Sequence, residues 1–362
     1  MPPIWSIPTL RTDAAEGPAS GWTAGAPGPS APAMLRRLIP DKFILWLIGA
    51  IALAWFAPVS AAPAAAVDWV TYAAIFALFF LHGARLPREA LVAGFGDVKL
   101  HVTILLITFA LFPLFGLALA FTAPGLFDPM IWTGLLFLCV VPSTVQSSIA
   151  YTSMAGGNVA GAVAAATFSN MAGVFLTPFL ASLILDAQGV GISWEGIGRI
   201  FLLLCLPFGL GHAARPLVLP WIERWPALTT VVDKGTILLA VYGAFSAAIV
   251  DRIFDRVPGG QLAALVAVCL GLLALILGSA TLIGRAAGFD RGSRAAILFC
   301  GSVKSLASGA PMAKVLFPGS ATAIVLVPVM LYHTLQLLVC ASIAGAMMRR
   351  RRGASHEASL RA

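Results

Sequence analysis

The feature that most limits what this chain can become is a series of apolar blocks, each of about 18–25 residues, parted by short stretches that hold its few charges. A block of that length crosses roughly 30 Å of hydrocarbon as a helix, and a helix satisfies its backbone from within, which hydrocarbon demands. Composition agrees. Hydrophobic residues make up 59% of the chain and charged residues 10%, with a mean hydropathy of +0.94; a soluble domain carries roughly a quarter charged residues. The expected class is an all-α integral membrane protein. Ten transmembrane helices are expected, at 42–58, 67–83, 100–122, 131–153, 158–185, 197–214, 233–250, 262–284, 294–317 and 320–347.

Residues 1–35 are rich in Pro, Gly, Ala and Ser and lack the basic start and apolar stretch of a signal peptide. They read as a disordered tail. Residues 348–362 form a second, strongly basic tail. With the N-terminus inside, nearly all basic residues fall on the cytoplasmic side. The outer loops hold only Arg199, Arg252, Arg256 and Lys314, and Lys304 stands apart. That bias places both termini in the cytoplasm and suits a bacterial inner membrane. The net charge of +8 is then explained by topology and contact with anionic lipid headgroups, and nucleic acid is not an expected partner. Cys139, Cys205, Cys269, Cys300 and Cys340 all lie in apolar spans without metal-ligand spacing, so they read as small packing residues.

Ten spans invite a search for two five-span halves, 36–185 and 197–347. Aligning Cys139 with Cys300 sets "CVVPSTVQSS" of span four over "CGSVKSLASG" of span nine. Five spans apart, the two run in opposite directions, as an inverted repeat requires. Pro142 removes an amide donor, while Ser143, Thr144, Gln146, Ser147 and Ser148 offer the backbone competing partners. Both spans are therefore expected to break near mid-depth and to cross there, presenting helix ends and free carbonyls at one point. The competing structural reading is a pair of kinked helices packed through small residues. Further polar residues lie at mid-depth: Asn158 and then Thr167 and Asn170, three apart on span five, with Ser302, Ser305 and Ser308 on span nine. Span ten adds His333 and Gln336. Asn158, Ser308, His333 and Gln336 are candidates to face a solute; the remainder are candidates for an ion or crossing site.

These stretches, with "LFFLHGARLP" at the end of span two, "VVPSTVQSSIAYTSMAGGNVAGAVAAATFSNMAGVFLTP" and "CGSVKSLASGAPMAKVLFPG", resemble the bile acid:sodium symporter family, and within it the bacterial YfeH-like branch. The resemblance covers about residues 36–347. It implies ten helices in two inverted five-helix repeats, a panel of spans 1, 2, 6 and 7, and a core of spans 3–5 and 8–10 holding the crossed helices 4 and 9. It also implies a solute site between core and panel, with sodium behind the crossing. The family's sodium oxygens map near Gln146, Ser147, Ser148, Thr167 and Asn170. On span nine the pattern breaks: where relatives carry a Glu-x-x-x-Gln segment, this chain has Ser302 and Leu306 with Lys304 between them.

All fifteen acidic residues fall in tails, loops or span ends, so no mid-span carboxylate stands ready for Na⁺ or for Lys304. An idle lysine at mid-span is costly. Three roles remain for it: a tethered cation in the sodium position, held by carbonyls and by Ser143, Thr144 and Ser305; a partner for an anionic solute; or a group that trades protons during transport. A fourth reading is a lysine snorkelling on a structural face. The resulting expectation is a secondary transporter of an organic anionic solute, without a cofactor, coupled to Na⁺, to H⁺ or to neither. The alternatives are a carrier for arsenite-type or other small solutes and a non-transporting membrane regulator on the same fold. No span sets a base beside a nucleophile, and no phosphate-binding loop is present, which argues against an enzyme or a nucleotide-driven pump. The sequence fits a monomer and a homodimer alike.

Overall fold

A computed structural model of the chain describes residues 42–60, 62–85, 97–187, 198, 201–252, 259–317 and 319–361. The expected N-terminal tail, 1–35, lies outside them. All regular structure among the described residues is helical. Helix α1 is Lys42–Phe56 and α2 is Ala62–Ala84. Helix α3, Val98–Leu106, passes through a π turn at Ile107–Leu111 into α4, Phe112–Thr122. Then follow α5 (Pro129–Val140), α6 (Val145–Met154) and α7 (Val159–Ala187). A second π turn, Phe201–Cys205, leads into α8 (Leu206–Arg224) and α9 (Pro226–Val250). Helices α10 (Gly259–Ala286), α11 (Arg291–Ser302), α12 (Leu306–Leu316) and α13 (Ala321–Arg361) complete the chain.

Seven helical runs among the described residues are long and apolar enough to cross a membrane, with α11 and α12 forming one of them. Two bent pairs, α5 with α6 and the two arms of α8, raise the number to nine. Helix α1 stands where the first of the ten expected spans was placed. Its 15 residues reach only about 22 Å at 1.5 Å each, short of the hydrocarbon thickness. Helix α13 continues past the expected span end at 347, so the basic stretch from Arg349 extends the helix.

The expected breaks in spans four and nine are both present, and local chemistry explains each. Asp128 caps α5 by accepting from Met130 N at 2.9 Å, with Pro129 in the first helical position. Pro142 supplies no amide, so α5 stops at Val140, and α6 resumes at 59° to it. Asp290 caps α11 through Gly292 N and Ser293 N. The Ser293 side chain and amide, with the Gly292 amide, hold the Asp290 carboxyl below the ordinary carboxylate range. The chain is extended at Val303 and Ser305, and Ser305 restarts the helix as cap of α12, accepting from Ser308 N at 3.1 Å.

Packing holds the two breaks together. Helix α5 lies on α13, while α6 packs on α7, α11 and α13, and α12 packs on α9 and α13. An 18-residue stretch of the run Arg291–Leu316 is 89% buried, against 28–50% in the other six long runs. Gly173 of α7 backs the first break so closely that a Cβ there would lie 2.6 Å from Pro142 Cβ. The broken helices are therefore interior to the helical assembly, and their loose backbone is enclosed by protein, as a membrane requires.

Candidate functional site

At the breaks, helical hydrogen bonding stops and the backbone must find other partners. The first break finds a named donor for each carbonyl from residue 139 to residue 144. Cys139 O and Val141 O accept from Lys304 Nζ at 2.8 and 2.9 Å. Val140 O accepts from Thr177 Oγ1 at 2.8 Å. Pro142 O takes the Ser305 amide at 2.8 Å, and Ser143 O takes Asn170 Nδ2 at 2.6 Å. Thr144 O takes Ser148 Oγ at 2.5 Å.

The second break is served in return. Ser143 Oγ donates to Cys300 O at 2.6 Å, and Thr144 Oγ1 donates to Lys304 O at 2.8 Å. Gln336 clamps the Lys304 backbone from both sides. Its Oε1 accepts the Lys304 amide at 2.6 Å and its Nε2 donates to the Lys304 carbonyl at 2.7 Å. The other Nε2 hydrogen meets His333 Nδ1 at 2.9 Å, which makes that ring nitrogen the acceptor. Tyr332 donates to Ser302 O at 2.9 Å, and Ser308 Oγ reaches Asn170 Oδ1 at 2.8 Å. In the Cys139–Cys300 alignment, Ser143 and Lys304 fall at equivalent positions. Each sends its side chain to the carbonyl of the opposite break's cysteine.

Lys304 is 1% exposed. Its three ammonium hydrogens are matched by three carbonyls, the third being Thr108 O at 2.9 Å. That carbonyl is free for a local reason. In the π turn, the Phe112 amide bonds Ile107 O and not Thr108 O. The next residue, Pro113, has no amide to give. The ring of Phe112 lies 4.0 Å from the ammonium, adding its negative face. Helix α5 ends here, so the negative end of its dipole also meets the charge. Among the described residues no Asp or Glu is buried, none pairs with Lys304, and no cluster of metal-ligating side chains occurs. An ammonium here is therefore compensated by dipoles and by the rings of Phe112 and, at 6.0 Å, Phe109.

The structure thus gathers Ser143, Thr144, Ser148, Asn170, Lys304, Ser305, Ser308, His333 and Gln336 at the crossing, with Ser302 joining through its carbonyl. Of the oxygens expected to hold the ammonium, backbone carbonyls do so and the three hydroxyls do not. The hydroxyls of Ser143 and Thr144 bond the opposite backbone, and Ser305 caps α12. Gln146 is exposed in the first turn of α6, and Ser147 Oγ is buried without a hydrogen-bond partner among the described residues. Thr167 is half-buried on α7 outside the network. Asn158 sits at the start of α7, where its Oδ1 accepts from Gly161 N at 2.8 Å and its amide donates to Gly292 O. Its place is a helix end, away from the crossing.

Sequence reading missed Thr108, Ser169, Thr177 and Phe112. Ser169 Oγ accepts the Ser143 amide at 3.2 Å. Asn170 and Thr177 are seven apart on α7 and so share a face, a signal that was available. Pro113 inside span three was the other. The cysteines are free and buried. Cys300 Sγ lies 3.7 Å from Ala162 O, and a Cβ at Gly116 would be 2.6 Å from Cys139 Sγ. Both thiols are packing groups with no opening to a thiophilic solute.

With the geometry in place, comparison with known proteins is direct. The sequence profile of the SBF-like CPA transporter family matches residues 41–349. PA2026 of Pseudomonas aeruginosa is 46% identical over 316 residues, covering 87% of this chain and 95% of that one. YfeH of Escherichia coli K12 is 44% identical, covering 84% and 92%. Sodium/bile acid cotransporter 7 of Rattus norvegicus is 27% identical, again covering 84% and 92%. The chain belongs to the SBF-like CPA transporter family, and the resemblance to the YfeH-like branch holds. It is an integral membrane transporter of that family and not an enzyme.

Proposed function

We propose that this member of the family carries an organic, anionic solute across a bacterial inner membrane by alternating access, with Lys304 as a built-in cation in place of a bound sodium ion. The observation that carries this reading is the ammonium itself, sealed at the crossing by three backbone carbonyls. A cation with all its donors engaged has none left for a solute, which favours the tethered role over direct solute pairing. A second cation beside it would be repelled in a site of low effective dielectric.

In this reading ten spans, both termini cytoplasmic, form two inverted five-helix repeats, with panel spans 1, 2, 6 and 7 and core spans 3–5 and 8–10. The mutual capping by Ser143 and Lys304 supports the repeat. The solute's anionic group meets the first turns of α6 and α12, where Gln146 and Ala307 are exposed amid an otherwise buried crossing. Helix N-termini favour negative charge there. The half-buried His333 lines the other side, through α13, while the buried Gln336 is spent on the Lys304 backbone and His333.

The test is uptake by the purified protein in liposomes, with candidate organic anions first selected by thermal shift. Wild-type uptake is expected to be indifferent to a Na⁺ gradient, while Lys304→Ala either loses uptake or becomes Na⁺-responsive. Wild-type uptake driven by Na⁺ as strongly as in Lys304→Ala would sink the tethered-cation reading. A solute that binds but is never moved would favour a regulator.

A further inference from the structure

The motif "LFFLHGARLP" at the end of α2 plays no part in the crossing, and its surroundings form a second polar cluster. His82 of α2 and Arg85, just past its end, share the short motif H-x-A-R with His212 and Arg215 of α8. The two helices pack unusually close where these motifs begin. A Cβ on Gly83 would lie 2.0 Å from Phe208 O and 3.0 Å from His212 N, and one on Gly211 would lie 1.9 Å from Phe80 O. Only glycine permits that approach, and it brings the two motifs side by side.

Helix α8 then turns by 90° between its arms Leu202–Ala213 and Arg215–Arg224. Pro216 explains the bend, since it removes the amide that would bond the His212 carbonyl. A span that turns by 90° lays its second arm along the membrane plane. The arm has the composition of that boundary: Leu217 is 85% exposed, and Trp221 and the following Trp225 are 48% and 52% exposed. Val218 and Ile222, on the same face as Arg215, pack against Leu81, Ala84 and Val232. Arg215 is thereby directed into the corner between α2, α8 and α9.

The charges in this corner do not balance. Asp233 of α9 takes Arg85 at 2.9 Å and has His82 at 3.8 Å. Arg215 has no ion pair among the described residues, and its buried Nε has no hydrogen-bond partner; nor does the buried Nδ1 of His212. Two arginines face one carboxylate, whose buried Oδ1 has no hydrogen bond and only His82 at 3.8 Å. The buried Arg215 Nε lacks an acceptor, and His212 Nδ1 can donate in the tautomer that carries its proton there. An unmatched guanidinium with a fork of donors suits a phosphate, and lipid phosphates lie at this depth of a membrane.

We propose that the corner formed by the end of α2, the bend of α8 and the start of α9 binds the headgroup phosphate of an anionic phospholipid, with Arg215 and His212 as its donors. The site is separate from the crossing and does not depend on the transport reading.

The experiment is native mass spectrometry of the full chain in detergent, titrated with phosphatidylglycerol or phosphatidylcholine, with and without excess inorganic phosphate. Both lipids carry the phosphate, but choline adds a cation that the arginines of the corner repel, so wild type is expected to retain phosphatidylglycerol over phosphatidylcholine by roughly tenfold and Arg215→Gln to bring that ratio near one. His212→Asn, a smaller change that serves should Arg215→Gln fold poorly, is expected to lose part of it. Equal retention of the two lipids by wild type overturns the proposal. So does a preference that survives in both variants, because the basic end of α13 would then be its source. Displacement of phosphatidylglycerol by inorganic phosphate would instead assign the corner to a soluble phosphate.

Discussion

Two lysines of the same broken span are each 1% exposed, and the chain neutralises them in opposite ways. Lys304, at the break, is held by three carbonyls and a ring face. Lys314, near the end of α12, meets Asp68 of α2 at 2.7 Å. The Asp68 side chain is 44% exposed, and it lines a cavity of about 190 Å³ together with Asp251. The cage around Lys304 is made from the first break and the π turn before α4, so it cannot open without undoing the crossing. The pair at Lys314 joins α12 to another helix, and one partner already reaches the surface, so it can part and re-form. Depth sets the difference: a mid-span carboxylate would add a second charge to desolvate, whereas carbonyl dipoles are there already.

Substitutions can break this contrast. Lys304→Met should have the largest effect, lowering stability by about 3 kcal/mol, because three buried carbonyls lose their donor. Thermal unfolding in detergent measures it, and a near-neutral result would mean the carbonyls find other donors. Gln336→Leu, which strips both bonds from the Lys304 backbone, should cost about 2 kcal/mol in the same assay. Asp68→Asn should cost least, about 1 kcal/mol, since the exposed carboxylate is screened by water. Raising salt sharpens the comparison. The Asp68→Asn deficit should shrink toward zero in 1 M NaCl, while the Lys304→Met deficit stays constant. Equal salt sensitivity at the two sites would erase the distinction.

Much of the crossing was legible because residue type announces it. Pro142 followed by hydroxyls cannot continue a lipid-facing helix, and Lys304 stands out in an apolar run. Asn170 and Gln336 are polar residues that a span would not carry idly. Carbonyls were expected around the ammonium, but which ones was not legible, since carbonyls belong to every residue and only their orientation matters. Lys314 shows the same gap. Its charge counted among the outer loops when orientation was read, yet it is buried in α12 against a carboxylate remote in sequence. Helix α1 was visible as an apolar block, but its helical length falls short of a full crossing.

The π turn at Ile107–Leu111 has a consequence that concerns counting rather than chemistry. A π turn is an α-helix carrying one surplus residue. Deleting Ile107 would let the helix close its regular ladder with the Phe112 amide on Thr108 O, and the third hydrogen of Lys304 would face nothing; deleting any of residues 109–111 would instead set Pro113, which has no amide, four places on and leave that carbonyl free. The residues on one side would also swing by about 100° about the axis, carrying Phe112 off the ammonium. A single-residue deletion that keeps every side chain named at the crossing should therefore disable it as surely as replacing Lys304. The spacing of this stretch is as much a part of the site as any side chain in it.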